Sequence, residues 1–209
     1  MRNIIRALSI ILLFLTVKAF AYNPAEGKVT ATFGPYYTKT NFPTTRSGAS
    51  PKIMNGFGLI ALGDINSYGS LEIGTFVMPK LFFREEGGMV IVEQTQIVQI
   101  TMGYRYWINP YFSTSLAFYS TYSMGNVGRL HNDFPPGQEI DTSARDITEY
   151  GFDFALQGDL WSSDKMAVSL ETRYSPSVTS KRNEDSDHYG VLLGIRYLIQ
   201  ATKKVETKP

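Results

Sequence analysis

The chain has 209 residues and a formal net charge of +1, so its charge does not point to a nucleic-acid partner. It contains no cysteine, which excludes disulfides, thiolate metal sites and a cysteine nucleophile. The 13 tyrosines, 13 phenylalanines and 18 glycines favour strands over helices.

The first segment has the organisation of a secretory signal peptide. A positively charged start is followed by an apolar run over residues 7–17, which is shorter than the ~20 residues that a membrane-spanning helix needs. An Ala-Phe-Ala sequence then supplies the small residues of a cleavage site before Tyr22. We therefore predict a cleaved signal peptide over residues 1–21, with an uncleaved N-terminal anchor as the alternative.

From Tyr22 onward, polar and apolar residues alternate with a period of two between turn signals, which is typical of half-buried β-strands. The last segment shows the alternation best, because the odd-numbered residues from Tyr189 to Ile199 are all aromatic or aliphatic. The same pattern predicts eight strands, in chain order over residues 28–38, 54–64, 70–83, 98–106, 111–122, 150–160, 166–175 and 189–199. Pro35 and Pro79 cannot donate to a β-ladder, so we expect each of them at a strand end or a bulge.

The connections between the predicted strands mostly alternate between long and short. The long ones fall over residues 39–51, 84–88, 123–145 and 176–187, and the short ones lie at 65–69, 109–110 and 162–165. Bacterial outer-membrane barrels have long extracellular loops and short periplasmic turns, so a periplasmic N-terminus would place every connection on its expected side. No stretch after Tyr22 has 18 consecutive apolar residues, and a membrane location would therefore require a closed barrel without open strand edges.

Alternation alone also fits a soluble barrel that is apolar inside and polar outside. A wet exterior would carry many Lys and Glu residues, whereas the polar face here is mostly Gly, Ser, Thr, Ala and Gln, which suits the narrow interior of an eight-stranded barrel. The apolar face carries aliphatic residues in mid-strand and aromatic ones near the strand ends, as a lipid-facing belt does. We predict an aromatic girdle of Tyr104, Tyr106, Tyr150, Tyr174, Tyr189 and Tyr197. Trp107 and Trp161 also lie near strand ends but share the inward parity, so each of them either joins this girdle or plugs an end of the barrel.

The pattern from Tyr22 to about Gln200 resembles the small eight-stranded outer-membrane β-barrels of the OmpA, OmpX and OmpW kind. In the last strand, Gly194, Tyr197 and Ile199 are spaced like the Gly-x-x-aromatic-x-hydrophobic signal that the barrel-assembly machinery recognises, although the family's terminal aromatic residue is absent here. The resemblance implies an all-β fold: an eight-stranded antiparallel transmembrane up-and-down β-barrel over residues 22–200. It also implies a Gram-negative outer membrane as the location, with outer-membrane lipids and lipopolysaccharide as partners. Residues 201–209 are left as a polar C-terminal tail.

Seven charged residues share the inward parity of the predicted strands, namely Glu72, Arg105, Asp153, Asp159, Glu171, Arg173 and Arg196. We expect them to pair, because an unpaired charge away from water is costly. Counting residues from the short-turn end predicts a lower group that includes Glu72 and Arg105 with Asp159 and Arg196, and an upper group with the other three. The set is interpreted either as a structural network that fills the barrel or as an ion-pair gate on a narrow solute path.

Neither an enzyme nor a metal site is expected. The two histidines of the chain, His131 and His188, belong to no catalytic motif, and a lone loop histidine is usually solvated. The acid-rich segments 84–88 and 183–187 match no known calcium-binding loop, so we predict neither metal nor cofactor.

Three functions stay open at this point, because function lies in sites grafted onto a fold. The first is a structural or surface-interaction barrel whose lumen is largely closed. The second is a narrow porin-like channel or a passage for hydrophobic solutes. The third is a self-associating barrel whose ring encloses lipid, for which the small outward residues Ala31, Gly63 and Thr75 would permit close packing.

Overall fold

The computed structural model describes residues 22–43 and 50–200. The predicted signal peptide, residues 1–21, the predicted polar tail, residues 201–209, and part of the first long loop lie outside the described residues. No helix in the described ranges is long and apolar enough to cross a membrane.

Antiparallel strands dominate the described chain. In chain order they are β1 (Val29–Thr40), β2 (Met54–Asp64), β3 (Gly69–Glu86), β4 (Met89–Asn109), β5 (Phe112–Ser123), β6 (Gly128–Asn132), β7 (Thr148–Ser162), β8 (Met166–Ser175), β9 (Glu184–Asp185) and β10 (His188–Gln200), with a single 3₁₀ turn at Ser143–Arg145. Eight of the described strands are long, and each pairs with the next long one along the chain. Because β1 also pairs with β10, with Phe33 opposite Ile195, the sheet closes on itself. The predicted eight-stranded antiparallel barrel is confirmed.

Burial follows the alternation of the strands. Along β7, for example, Phe152 and Phe154 are exposed on the outer face, while Asp153 and Ala155 between them are buried. An eight-stranded barrel has an interior just wide enough for side chains to fill it. The wall formed by β1, β2, β3 and β10 departs from the expected small and polar interior, because large apolar side chains pack inward there: Tyr36, Ile60, Leu62, Phe76, Met78 and Leu192.

Both prolines lie inside strands, so the expectation that each marks a strand end or a bulge is wrong. Pro35 stands opposite Phe57 in the β1–β2 ladder, and the β1–β10 pairing omits residues 34 and 35, where the proline has no N–H to donate. Pro79 stands opposite Gln96 in a continuous β3–β4 ladder. It lies beyond Val77, the last residue of β3 that pairs with β2, so at this point no strand of residues 22–43 or 50–200 pairs with that edge of β3.

The β3–β4 hairpin is much longer than predicted, because its ladder runs on until Glu86 faces Met89. Gly87 and Gly88 form its two-residue turn, and both have the positive φ that such a turn requires. Above the barrel, β9 pairs with the outer part of β3 and β6 with that of β4. We call this four-stranded unit, β9–β3–β4–β6, the protruding sheet. The outer part of β4 was not predicted as a strand because residues 90–93 are buried on both faces, so polar and apolar residues do not alternate there.

The connections separate the two ends of the barrel. The turns at 65–68, 110–111 and 163–165 lie at one end, which we call the short-turn end, and the protruding sheet lies at the opposite, long-loop end together with the loops over 133–147 and 176–183. An apolar cluster of Phe42, Leu81, Phe83, Val90 and Val92 covers the outer face of the protruding sheet.

Candidate functional site

Two arginines and three carboxylates form one ion-pair network, the central network, inside the barrel. Arg105 of β4 donates from Nε to Glu72 Oε2 at 2.7 Å and from Nη2 to Glu171 Oε2 at 2.6 Å. Arg173 of β8 donates from Nη2 to Glu72 Oε1 and from Nε to Glu171 Oε1, both at 2.5 Å. It also donates from Nη1 to Asp153 Oδ1 at 2.7 Å. All five side chains are buried, so each charge depends on its partners rather than on water.

Neutral side chains take up further hydrogen-bonding positions of the central network. Arg105 Nη1 donates to the side-chain carbonyl oxygen of Gln157 at 2.7 Å. Asp153 Oδ2 accepts from Ser175 Oγ at 2.6 Å and from Gln99 Nε2 at 3.3 Å. Charge-assisted hydrogen bonds of this kind are short and strong, so the network ties β3, β4, β7 and β8 together across the lumen.

A second pair lies nearer the short-turn end, and Gln157, whose Nε2 donates to Asp159 Oδ1 at 3.1 Å, links it to the central network. Arg196 of β10 donates from Nη2 to Asp159 Oδ2 at 2.6 Å, and both side chains are buried. The prediction that Glu72 and Arg105 belong to this lower group is wrong, because both join the central network. Strands of a barrel tilt by about 35–45° against its axis, so position along a strand is a poor measure of height, and an arginine side chain reaches across the difference.

Aromatic rings close the short-turn end. The Tyr22 ring lies 4.6 Å from that of Trp107, and its hydroxyl donates to Asp64 Oδ2 at 2.8 Å. The Arg196 guanidinium lies 4.3 Å from the Tyr22 ring and 5.1 Å from the Trp107 ring, which is the geometry of cation–π contacts. The indole N–H of Trp107 donates to Ser70 Oγ at 3.1 Å. Trp107 therefore lies inside the barrel end, as its parity predicts.

Trp161 is the contrary case, and its predicted inward position is wrong. Its side chain is on the outer face and 40% exposed. The β7–β8 register shifts between Asp159 and Trp161, which marks a bulge. One extra residue in a strand reverses the parity of everything after it, so counting from Tyr150 fails at this point.

Sequence reasoning missed a buried ion pair toward the long-loop end. Lys80 Nζ of β3 lies 2.5 Å from Glu149 Oε2 of β7, and Ser186 Oγ donates to Glu149 Oε1 at 2.7 Å. Lys80 has the same parity as Glu72 on the same strand, so a parity count continued through Pro79 finds it. Because Pro79 was expected to end the strand or to mark a bulge, Lys80 was not counted among the inward charges.

The 3₁₀ turn Ser143–Arg145 is held by carboxylates of the protruding sheet. Glu93 of β4 accepts from Thr142 Oγ1 at 2.8 Å and from Arg145 Nη2 at 2.6 Å. The first backbone amide of the turn donates to Glu184 Oε2 of β9 at 2.9 Å. Burial acts to raise the pKa of the Glu93 carboxyl, but the hydrogen bonds from Arg145 and Thr142 outweigh it and hold that pKa below its ordinary value.

Lys181 links the two sides of the loop that carries this turn, and we call this contact the staple. Its Nζ lies 2.6 Å from Asp141 Oδ2 and 3.1 Å from Asp146 Oδ1, one on each side of the turn. Arg84 of β3 adds a hydrogen bond of 2.6 Å to the Asp141 carbonyl oxygen. The hydrogen bond from Lys181 lowers the pKa of the Asp141 carboxyl. The loop is thus fixed on the protruding sheet by charged contacts that water reaches.

The six tyrosines predicted for the lipid-facing girdle all lie on the outer face, namely Tyr104, Tyr106, Tyr150, Tyr174, Tyr189 and Tyr197. The rings of Tyr174 and Tyr189 stack at 4.9 Å. Of the assembly signal, Gly194 points inward, where a Cβ would lie 2.4 Å from Thr32 Cγ2, while Tyr197 and Ile199 face outward.

The two histidines occupy different environments. His131 Nε2 of β6 lies 2.9 Å from Asp133 Oδ1. His188 is buried at the start of β10, and the nearby Ser186 hydroxyl is directed at Glu149. The acid-rich segments come together, since Arg84 stands opposite Glu184 in the β3–β9 ladder. In residues 22–43 and 50–200, however, no group of three potential metal ligands is placed to hold an ion.

Comparison with known proteins establishes the fold. The sequence matches no protein-family model and no curated protein. Among solved structures, the barrel is similar to the outer membrane protein OprG from Pseudomonas aeruginosa, with a TM-score of 0.57 and 10% identity over 86% of this chain and 99% of that one. Two weaker likenesses follow. Ail, the attachment invasion locus protein of Yersinia pestis, in complex with the heparin analogue sucrose octasulfate, has a TM-score of 0.45 and 14% identity over 82% of this chain and 99% of that one. The outer membrane protein AlkL has a TM-score of 0.39 and 14% identity over 91% of this chain and 97% of that one.

Proposed function

We propose that the chain is an integral outer-membrane β-barrel that keeps its lumen closed and makes surface contacts through its protruding sheet. The observation that carries the closed lumen is a stack of three buried layers. Trp107 and Arg196 form the first, the central network around Arg105 forms the second, and Lys80 with Glu149 forms the third. Each layer joins side chains of non-adjacent strands, so a solute would have to break ion pairs to pass.

The outer surface supports the membrane location. Leu71, Met102 and Leu156 face outward from the barrel and are 57%, 64% and 62% exposed. A contiguous apolar belt of this kind is unfavourable in water and matches the hydrocarbon core of a bilayer. Lipid partners would then be phospholipid and lipopolysaccharide, and the outward Tyr197 and Ile199 of the last strand support recognition by the barrel-assembly machinery.

The long-loop end supports a role in surface contacts. In the orientation of outer-membrane barrels, this end with its protruding sheet is extracellular. β6 lies at one end of the strand order, so its outer edge pairs with no strand of the described chain. Leu130 on this edge is 47% exposed. A free strand edge offers unpaired N–H and C=O groups to an extended segment of another protein.

The membrane location is tested by fractionation of cells that express the full-length chain. We expect the protein in the outer-membrane fraction, with a compact SDS-resistant form that shifts in gel mobility on boiling. Recovery as a water-soluble protein without detergent would contradict the proposal.

The surface-contact role is tested with a photo-crosslinking amino acid at Leu130, and at the lipid-facing Leu156 as the matched control. We expect a protein adduct from position 130 and none from position 156. An adduct of twice the monomer mass from position 130 would identify a second copy as the partner. Absence of any protein adduct at position 130 in intact cells would contradict the role.

The channel alternative finds less support. A path for ions or hydrophobic solutes would have to pass Arg105 and Arg173, whose guanidinium groups are fully buried between carboxylates. The apolar wall offers no easier route, because the rings of Tyr36 and Phe76 pack against each other there at 4.8 Å. Self-association has only the outward, half-buried Ala31, Gly63 and Thr75 in its favour.

A further inference from the structure

The central network is unbalanced in charge. It brings three carboxylates together with two guanidinium groups, and all five side chains are buried. The ion pairs on either side, Asp159 with Arg196 and Glu149 with Lys80, each contain one charge of either sign, so they do not compensate the excess. A charge held away from water without a counter-charge is strongly unfavourable, and such groups neutralise instead.

The three carboxylates differ in their partners. Glu72 accepts hydrogen bonds from both Arg105 and Arg173, and so does Glu171. Within the described part of the chain, Asp153 contacts Arg173 alone among the arginines, through Oδ1, while its Oδ2 accepts only from the Ser175 hydroxyl and the Gln99 amide. Asp153 is therefore the carboxylate whose negative charge is least stabilised.

We infer that the centre of the lumen is a proton-binding site, in which the Asp153 carboxylate takes up one proton and shares it with the side-chain amide of Gln99. Gln99 Nε2 lies 3.3 Å from Asp153 Oδ2, and its carbonyl Oε1 is buried with no partner among the described residues. Rotation of the Gln99 amide group by a half-circle exchanges the positions of Nε2 and Oε1, so that Oε1 can accept a hydrogen bond from the new O–H of Asp153. The proton comes from solvent, one O–H bond forms, and the network becomes neutral.

Among the described residues, the surroundings of Asp153 supply no further positive charge. The groups that face it are Tyr36 of β1, Glu72 of β3, Gln99 and Arg105 of β4, Tyr119 of β5, and Glu171, Arg173 and Ser175 of β8. On β10, His188 stands opposite Ser175 and is buried, and burial favours its neutral form. On β7 itself, Glu149 and Asp159 lie on either side, and each pairs with its own base. Only a proton or a bound cation can therefore balance the three carboxylates.

Infrared spectroscopy of the full-length barrel in lipid vesicles tests the proton directly. We expect the carbonyl band of a protonated carboxylic acid at neutral pH, unchanged when sodium is replaced by potassium, and lost in Asp153→Asn. Glu72→Gln should also remove the band, because it leaves two carboxylates against two arginines. Asp159→Asn, outside the central network, should keep it. A wild-type spectrum without the band, or a band that survives Asp153→Asn, overturns the inference.

Thermal stability provides an independent readout. The Asp153 side chain of the unfolded chain is ionised above about pH 4, so the wild type must take up a proton on folding at neutral pH. Asp153→Asn keeps the size and hydrogen bonds of the protonated acid and needs no proton, so its unfolding midpoint should match that of the wild type near pH 4 and exceed it by a margin that grows as the pH rises toward neutral. Asp159→Asn, which leaves Arg196 without its counter-charge, should lower the midpoint at neutral pH. An equal loss in both variants, or failure of Asp153→Asn to fold, overturns the inference.

Discussion

Replacement of Arg105 by methionine tests how strongly the central network stabilises the barrel. Arg105 is fully buried and donates to two carboxylates, Glu72 and Glu171, and to Ser113 and Gln157. Methionine fills part of the same volume but donates nothing. The substitution leaves both carboxylates with Arg173 as their remaining arginine partner.

The expected loss is large because a buried charge loses its counter-charge. Removing one partner of a buried ion pair costs about 3–5 kcal/mol. This corresponds to a decrease of roughly two to nearly four orders of magnitude in the folding equilibrium constant. Arg105→Met combined with Glu171→Gln should recover part of the loss, because the second change removes one of the unpaired charges.

The assay is unfolding by urea in lipid vesicles, followed by tryptophan fluorescence and by the heat-dependent gel shift. Arg129→Met is the matched control, because Arg129 is 39% exposed and its pair with Glu139 is on the surface. Its Nε also lies 3.8 Å from Glu93 Oε1, but Glu93 keeps Arg145 as a closer partner at 2.6 Å. An exposed pair contributes about 0–1 kcal/mol. If Arg105→Met destabilises the barrel no more than Arg129→Met, the central network is not what holds the lumen together.

Other consequences are open to direct measurement. Tyr22→Ala should expose Trp107 at the short-turn end and increase quenching of tryptophan fluorescence by iodide; unchanged quenching would argue against a ring plug at this end. Because the hydrogen bond from Lys181 lowers the pKa of Asp141, its stabilisation is present above the ordinary value of 3.8 and is lost as the pH falls through the lower folded value. Pepsin cleavage within residues 139–147 of the wild type should therefore rise in strong acid toward that of Lys181→Met, and equal cleavage of both proteins at every pH would refute the staple. Trp161→Phe should remove most of the quenching by brominated lipids, whereas Trp107→Phe should preserve it; the reverse result would show that the bulge is misplaced.

Period-two alternation predicted the barrel because lipid and lumen select opposite kinds of side chain. Along β10, Val191 and Ile195 face outward while Leu192 and Arg196 are buried. The same parity places the side chains of the seven predicted charges in the lumen. The pattern fails where a strand is not a regular two-residue repeat with two different faces, as at the bulge before Trp161 and in the doubly buried part of the β3–β4 hairpin.

The partners of the charged residues were beyond the reach of the pattern for another reason. Parity says on which side of the sheet a residue lies, but pairing depends on strand tilt and side-chain length, as Arg105 and Glu72 show. The staple formed by Lys181 and Asp141 depends on where two long loops meet, and no periodicity records this. Tyr22 lies before the first strand, so the alternation of polar and apolar residues could not indicate that its ring closes the short-turn end.

Planar-bilayer recording from the purified monomer tests the central claim most directly, since the buried layers should seal the lumen. We expect no stable conductance steps from the wild-type barrel over a wide range of voltage. Large, stable steps from a single wild-type monomer would contradict the closed lumen, because ions would then cross the layers of Trp107, Arg105 and Lys80 without unfolding.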